Sequence, residues 1–343
     1  MSTTFKTLLN NDVTTTRTLL HEAIPVTGAI LNNTTYSDNN IKNYAHGIFQ
    51  SVYDYPYLSS SANHIFDIAV GISPRSSLSS SSTVQNSKKI NMYNQMAQVL
   101  VGHDITGGIL QFDADGDMLA GGNKLKEVIF INLARLLTKD EIKKDSFGLQ
   151  LGTGAYATQY THIKTLGDHG AASDFRTNSP AGEYAPLYTS STGITADTGL
   201  GLIYYQAGIA VISASVFDGI EFSGSAGSGS TIDTALTDDT IAYIANSLRH
   251  RFADLDFNNT TELNSTIYFC RANHNEFNYS SNPTYLSESK IRVKQNSVDT
   301  PVTYLTTVGL YSADNELLAT AKVSEPLKKD PSSELTLRVR LDY

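Results

Sequence analysis

Alternation of apolar and polar positions is sharpest between Glu334 and Tyr343. There Leu335, Leu337, Val339 and Leu341 are separated by Thr336, Arg338, Arg340 and Asp342. A period of two with one apolar side predicts a strand in a sheet with one buried and one wet face. Two further strands are predicted before it, Thr303 to Tyr311 and Glu316 to Val323, around the polar turn Ser312-Ala313-Asp314-Asn315. Pro326-Leu327-Lys328-Lys329-Asp330-Pro331 then carries the chain across to the last one. Glu262 to Arg271 opens this set, and the sequence ends at Tyr343. The expectation is a closed, antiparallel β-sandwich-like module over 261–343.

Upstream the periods are mixed. Phe5 to Ile30 is ambiguous between helix and strand, and a short helix is expected near Ile41 to Val52. Ile65 to Ile72 reads as a strand that Pro74 ends, and the serine-rich run Ser76 to Ser87 reads as a linker. Lys89 to Leu100 places Ile90, Tyr93, Met96, Ala97 and Leu100 on one helical face, with Gly102 as the stop. Lys124 to Leu137 is expected as a second helix, through Leu125, Val128, Ile129, Leu133 and Leu136, and Thr138 with Glu141 as a capping box for a further turn. Gly148 to Ser191 lacks clean periodicity and reads as extended loops and edge strands. Leu200 to Phe217 reads as a hairpin turning at Gln206-Ala207-Gly208, and Ser223 to Ser230 as a flexible glycine-rich loop. Asp238 to Phe252 is a predicted helix whose basic end, Arg249-His250-Arg251, complements the helix dipole. The resulting partition is an N-terminal mixed region (1–75), a Ser-rich linker (76–88), a central α+β region (89–260) and the C-terminal β module (261–343). The fold class is α+β and β-dominated, with a few helices in the N-terminal and middle regions.

Composition narrows the function. Of 343 residues 40% are hydrophobic and only 17% charged, which suits β-structure with long loops better than a helical enzyme. The net charge of -9, without a Lys/Arg cluster, argues against nucleic acid as a partner. Cys270 is the only cysteine, so no internal disulfide forms. Neither a signal-peptide core nor a membrane-length apolar run is present, which points to synthesis in a reducing cytoplasm and no membrane partner.

Candidate chemistry is sparse. Asp113-Ala114-Asp115-Gly116-Asp117 alternates carboxylates that can converge on Ca²⁺. An EF-hand loop wants Gly sixth and Glu twelfth, whereas here Gly is fourth and the twelfth residue is Lys124, so Asp113, Asp115 and Asp117 are a weak metal candidate beside a plain hydrated turn. His162, Asp168, His169 and Asp174 are close in sequence, and Cys270 with His274 invites a nucleophile reading. Solvated loop residues and a small buried apolar thiol are the plainer accounts. No phosphate loop, nucleotide fingerprint or nucleophile elbow occurs, no cofactor is implied, and no catalytic residue is assigned. The tyrosines Tyr53, Tyr55 and Tyr57, with Arg338 and Arg340 on the last strand, are the expected protein contacts.

The segments VGLYSADNELLATAKVSEPLKK and ELTLRVRLDY resemble parts of structural proteins from tailed bacteriophages, in baseplate, neck and fibre-attachment components. LGLIYYQAGIAVISASVF is similar to hairpins of virion proteins from contractile-tailed phages, and YDYPYLSSSANHIFDIAVG adds a weaker likeness. The resemblance implies a non-enzymatic virion subunit, made in the host cytoplasm and built into a tail ring as a homo-oligomer beside other tail proteins. A host-glycan-binding fibre or adhesion protein is the alternative.

Overall fold

A computed structural model describes residues 5–25, 40–54, 63–81, 83–119, 121–154, 160–191, 198–222, 231–280, 285–287, 290–291, 296 and 298–343. Strands far outweigh helices and the sheets are built from antiparallel pairs, so the fold is α+β and β-dominated. Two compact units divide the chain: 20–261, and 1–19 together with 262–343. The start of the second unit's main segment, Glu262, adjoins the expected boundary at 261, but the N-terminal residues join it.

The larger unit is organised by an eight-stranded sheet. From edge to edge it runs Arg176–Ser179, Gly182–Leu187, Gly201–Tyr204, Ile209–Ser213, Glu127–Leu133, His64–Ile72, Phe49–Tyr53 and Ile41–Asn43. Its central strands are buried on both sides. Ile129, Ile131 and Leu133 join one apolar cluster, while Val128 and Phe130 between them join another. This double burial corrects the expectation of a helix over Lys124 to Leu137. A strand covered on both faces has no polar side, so its apolar run mimics helical spacing. Only Arg135–Thr138 is helical there, and Glu141–Ile142, expected in a capping box, is a short strand. Ile41 to Val52 is likewise a hairpin rather than a helix.

The helix Val84–Leu100 covers one sheet face. Thr83 caps it by accepting from the Asn86 amide, and Gly102, at φ 94°, ends it by donating to the Ala97 carbonyl. Close approach requires Gly71, because a Cβ there would lie 2.7 Å from Phe130 Cε2 and 3.1 Å from Tyr93 Cα. The expected linker is therefore largely structured: Ser77–Ser80 is a 3₁₀ turn, and buried Asn86 donates to the carbonyls of Ser79 and Ser81. The hairpin Gly201–Ser213 turns as expected through Gly208, at φ 67°. The helix Ile241–Arg251 buries its basic end instead of presenting it to water. Arg251 donates to the carbonyls of Gly152 and Glu221 and lies over the rings of Tyr160 and Phe222. Burial, with Arg249 adding repulsion, pushes the His250 pKa down to about 3, so its ring is neutral. No helix among the described residues is long and apolar enough to cross a membrane.

In the smaller unit Leu335–Asp342 pairs with residues 265–272 of the long strand Phe252–Ala272, and Thr303–Tyr311 pairs with Leu317–Lys329 in a separate two-stranded sheet. The expected third-strand alternation holds: Leu335, Leu337, Val339 and Leu341 are the more covered positions and their neighbours are exposed. The second strand runs further than expected, through Pro326 to Lys329, because Pro326 is a position at which the two-strand register is interrupted. Apolar burial is slight. Among the described residues only Ala272 and Val339 are buried apolar side chains in this unit. Its most enclosed side chain is Lys329, whose ammonium donates to Asn278 Oδ1 (2.7 Å) and to the Asp330 carbonyl (2.8 Å).

Candidate functional site

Phe112–Asp113 pairs with Lys124–Leu125, so Asp113 and Lys124 stand directly opposite across a short ladder and the residues between them form a closed loop. Ala114 donates to the Asn123 carbonyl and prolongs the closure. Inside the loop Asp115 accepts from the Asp117 amide (3.0 Å) and Asp117 from the Leu119 amide (2.7 Å), turns that aspartates favour. Gly116 has φ 72° and Met118 φ 60°, so two residues in the left-handed region fold the acidic run inward. Tyr184 pins the loop, its hydroxyl lying 2.7 Å from the Gly116 carbonyl.

The three aspartates each bring one oxygen within 4.8 Å of the others, and they are the one such group of three acidic, His or Cys residues among the described residues. Asp113 is buried and forms an ion pair with Lys124, whose ammonium also donates to the Leu119 carbonyl. Burial raises the Asp113 pKa to about 6; Lys124 opposes the rise, and Asp115 and Asp117 add to it. The sequence flagged the three carboxylates. It missed Lys124 as their partner, because the residue was read as a helix start.

His162, Asp168, His169 and Asp174 do not form a cluster. Asp168 is buried and organises the turn before Gly148: it accepts from the amides of Asp145 (2.7 Å) and Phe147 (3.0 Å) and from the Tyr205 hydroxyl (2.8 Å). Desolvation raises its pKa to about 6 against these hydrogen bonds. Asp174 pairs with Arg176, and His162 is exposed beside Thr161. Cys270 is half-buried, and burial followed by the charge of Asp12 raises its pKa, the opposite of an activated thiolate. His274 pairs with Glu334 at 3.4 Å.

Among the expected contact residues, Tyr53 is half-buried with its ring edge against His64, 5.6 Å between centroids. Tyr55 and Tyr57 lie outside the described residues, as does the Ser223 to Ser230 loop. Arg338 and Arg340 are exposed on the wet face of the last strand, and Arg340 bonds Asp342 (2.6 Å) and Ser265 (3.1 Å). Tyr53 belongs to the larger unit and the arginines to the smaller. Sequence reasoning missed the apolar surface of the smaller unit. Tyr304, Leu317 and Leu318 are more than half exposed there, and Tyr311 nearly so.

No protein-family model, no curated protein and no solved structure matches this chain.

Proposed function

We propose that the chain is a non-enzymatic structural subunit of a tailed-phage virion, in the baseplate or neck, that associates with copies of itself and with other tail proteins. The phage assignment rests on the sequence resemblance. The association rests on one structural observation: the smaller unit presents strands whose large apolar side chains face water, Leu318 at 68% and Tyr304 at 61% exposure, with Ala272 and Val339 its only buried apolar side chains among the described residues. A two-stranded sheet is marginal by itself in water, and clustered exposed apolar side chains mark surfaces that bury against a partner. Repetition of such contacts around a symmetry axis is how ring subunits assemble.

The test is light scattering and low-resolution imaging of the purified full chain, beside the variants Leu317→Lys/Leu318→Lys and Arg340→Glu. A symmetric oligomer that the double lysine variant reduces to monomer is expected. A wild-type monomer at every concentration, or measured turnover of a glycan, peptide or nucleotide, would overturn the reading.

A further inference from the structure

We propose that the loop from Asp113 to Lys124 is a divalent-cation site of the Ca²⁺ class. Its ligands are the carboxylates of Asp113, Asp115 and Asp117 and the main-chain carbonyl of Leu119, and the Lys124 ammonium competes for the same position. The observation that carries this is Asp113. Its side chain is 1% exposed, yet Oδ1 is buried with no hydrogen-bond partner among the described residues. A bare carboxylate oxygen out of water is costly, and a hard cation that takes carboxylate and carbonyl oxygens is the kind of group that satisfies it.

The electrostatics agree. Three carboxylates converge, with one oxygen of each within 4.8 Å of the others, against a single ammonium, which leaves two net negative charges. Position and backbone agree as well. With Asp113 as first residue, Asp115 is third and Asp117 fifth, and Leu119 falls seventh, where calcium loops supply a main-chain carbonyl. That carbonyl already lies beside Asp113, because both accept from Lys124 Nζ. Met118, sixth, holds the left-handed φ of 60° for which such loops use glycine.

Lys124 stands twelfth, where a glutamate would give two more oxygens. It places a positive charge beside Asp113 instead, so affinity falls to the weak end for such loops, about 10⁻³ M. Loading requires the ammonium to give up Asp113 and the Leu119 carbonyl and swing out on its long, flexible stem, and that displacement is part of what weakens the affinity. The inference is independent of the assembly reading.

Calorimetric titration of the full chain with CaCl₂ near neutral pH tests it, together with thermal melts with and without Ca²⁺. One saturable site is expected in the wild type, roughly tenfold tighter binding in Lys124→Gln, and loss of the site in Asp115→Asn/Asp117→Asn. Ca²⁺ should raise the thermal midpoint of the wild type and leave that of the double asparagine variant unmoved, a comparison that holds even if Lys124→Gln folds poorly. No saturable binding in the wild type, or equal affinity in the double asparagine variant, overturns the site. Equal affinity in Lys124→Gln and wild type overturns the competition.

Discussion

The two units bury a lysine each, and the difference around those lysines separates a core from a surface. In the larger unit, where two apolar clusters cover both sides of a sheet, Lys89 is buried and donates to the carbonyls of Leu236 and Asp239 at the end of the helix Ile232–Asp238. Burial depresses its pKa to about 8, as expected for an ammonium taken out of water. In the smaller unit Lys329 also donates to carbonyls, but only Ala272 and Val339 are buried apolar side chains among that unit's described residues. The first lysine is tolerated inside a core that exists without it. The second is held by polar acceptors, and Tyr304, Leu317 and Leu318 of its unit face outward. A chain can thus hold one unit by hydrophobic burial and another by backbone pairing and polar anchoring.

The largest expected effect tests the core side of that contrast. Phe130→Ala should cost about 3–5 kcal/mol by chemical denaturation, since the ring is fully buried against Phe112 and fills the space that Gly71 leaves. An effect no larger than that of Val339→Ala in the smaller unit would erase the distinction.

Next is Lys329→Ala. Three carbonyl-type acceptors lose a charged donor, and the cost should be about 1.5–3 kcal/mol, confined to the smaller unit. Hydrogen exchange should quicken over Thr303–Tyr311 and stay unchanged over Glu127–Leu133. Uniform quickening would mean that the units unfold as one.

Asp168 sharpens the comparison through pH. Its folded pKa of about 6 lies above the ordinary carboxylate value, so the folded state binds more protons between those two values. Its contribution is therefore fully present at low pH and lost as pH rises through about 6. The wild type should gain roughly 1–2 kcal/mol relative to Asp168→Asn between pH 7 and pH 4. A pH-independent difference between the two would remove the linkage.

The smallest effect has the opposite sign. Tyr204 is fully buried, stacked on Tyr184 at 5.0 Å, and its hydroxyl has no hydrogen-bond partner among the described residues. Tyr204→Phe should raise stability by up to about 1 kcal/mol, because it removes a dehydrated hydroxyl and keeps the ring. A loss of stability would show that the hydroxyl is satisfied after all.

How much of this was legible depended on how many faces of an element are covered. Leu335 to Leu341 was readable because one face is wet, so polar and apolar residues alternate. The hairpin at Gly208 and the helix ended by Gly102 were readable because glycine marks a turn or a stop locally. Glu127–Leu133 was unreadable as a strand because both of its faces are covered. The three aspartates of the candidate site lie within five residues and were visible at once. Their partner across the ladder was not, since register is fixed by pairing between strands.

The sequence by itself determined the β-dominated class, the acidic and weakly charged composition, the single cysteine and the acidic run of the loop. These follow from composition and from interactions among residues a few positions apart. Only the tertiary structure decided which charges are buried. Lys89, Arg249, Arg251 and Lys329 look like surface residues in the sequence, and each is enclosed. The tertiary structure also decided that Thr303–Tyr311 and Leu317–Lys329 leave Tyr304, Tyr311, Leu317 and Leu318 exposed and that Lys124 faces Asp113. Each of these depends on what distant segments bring alongside, and burial is a property of that packing rather than of any residue's own side chain.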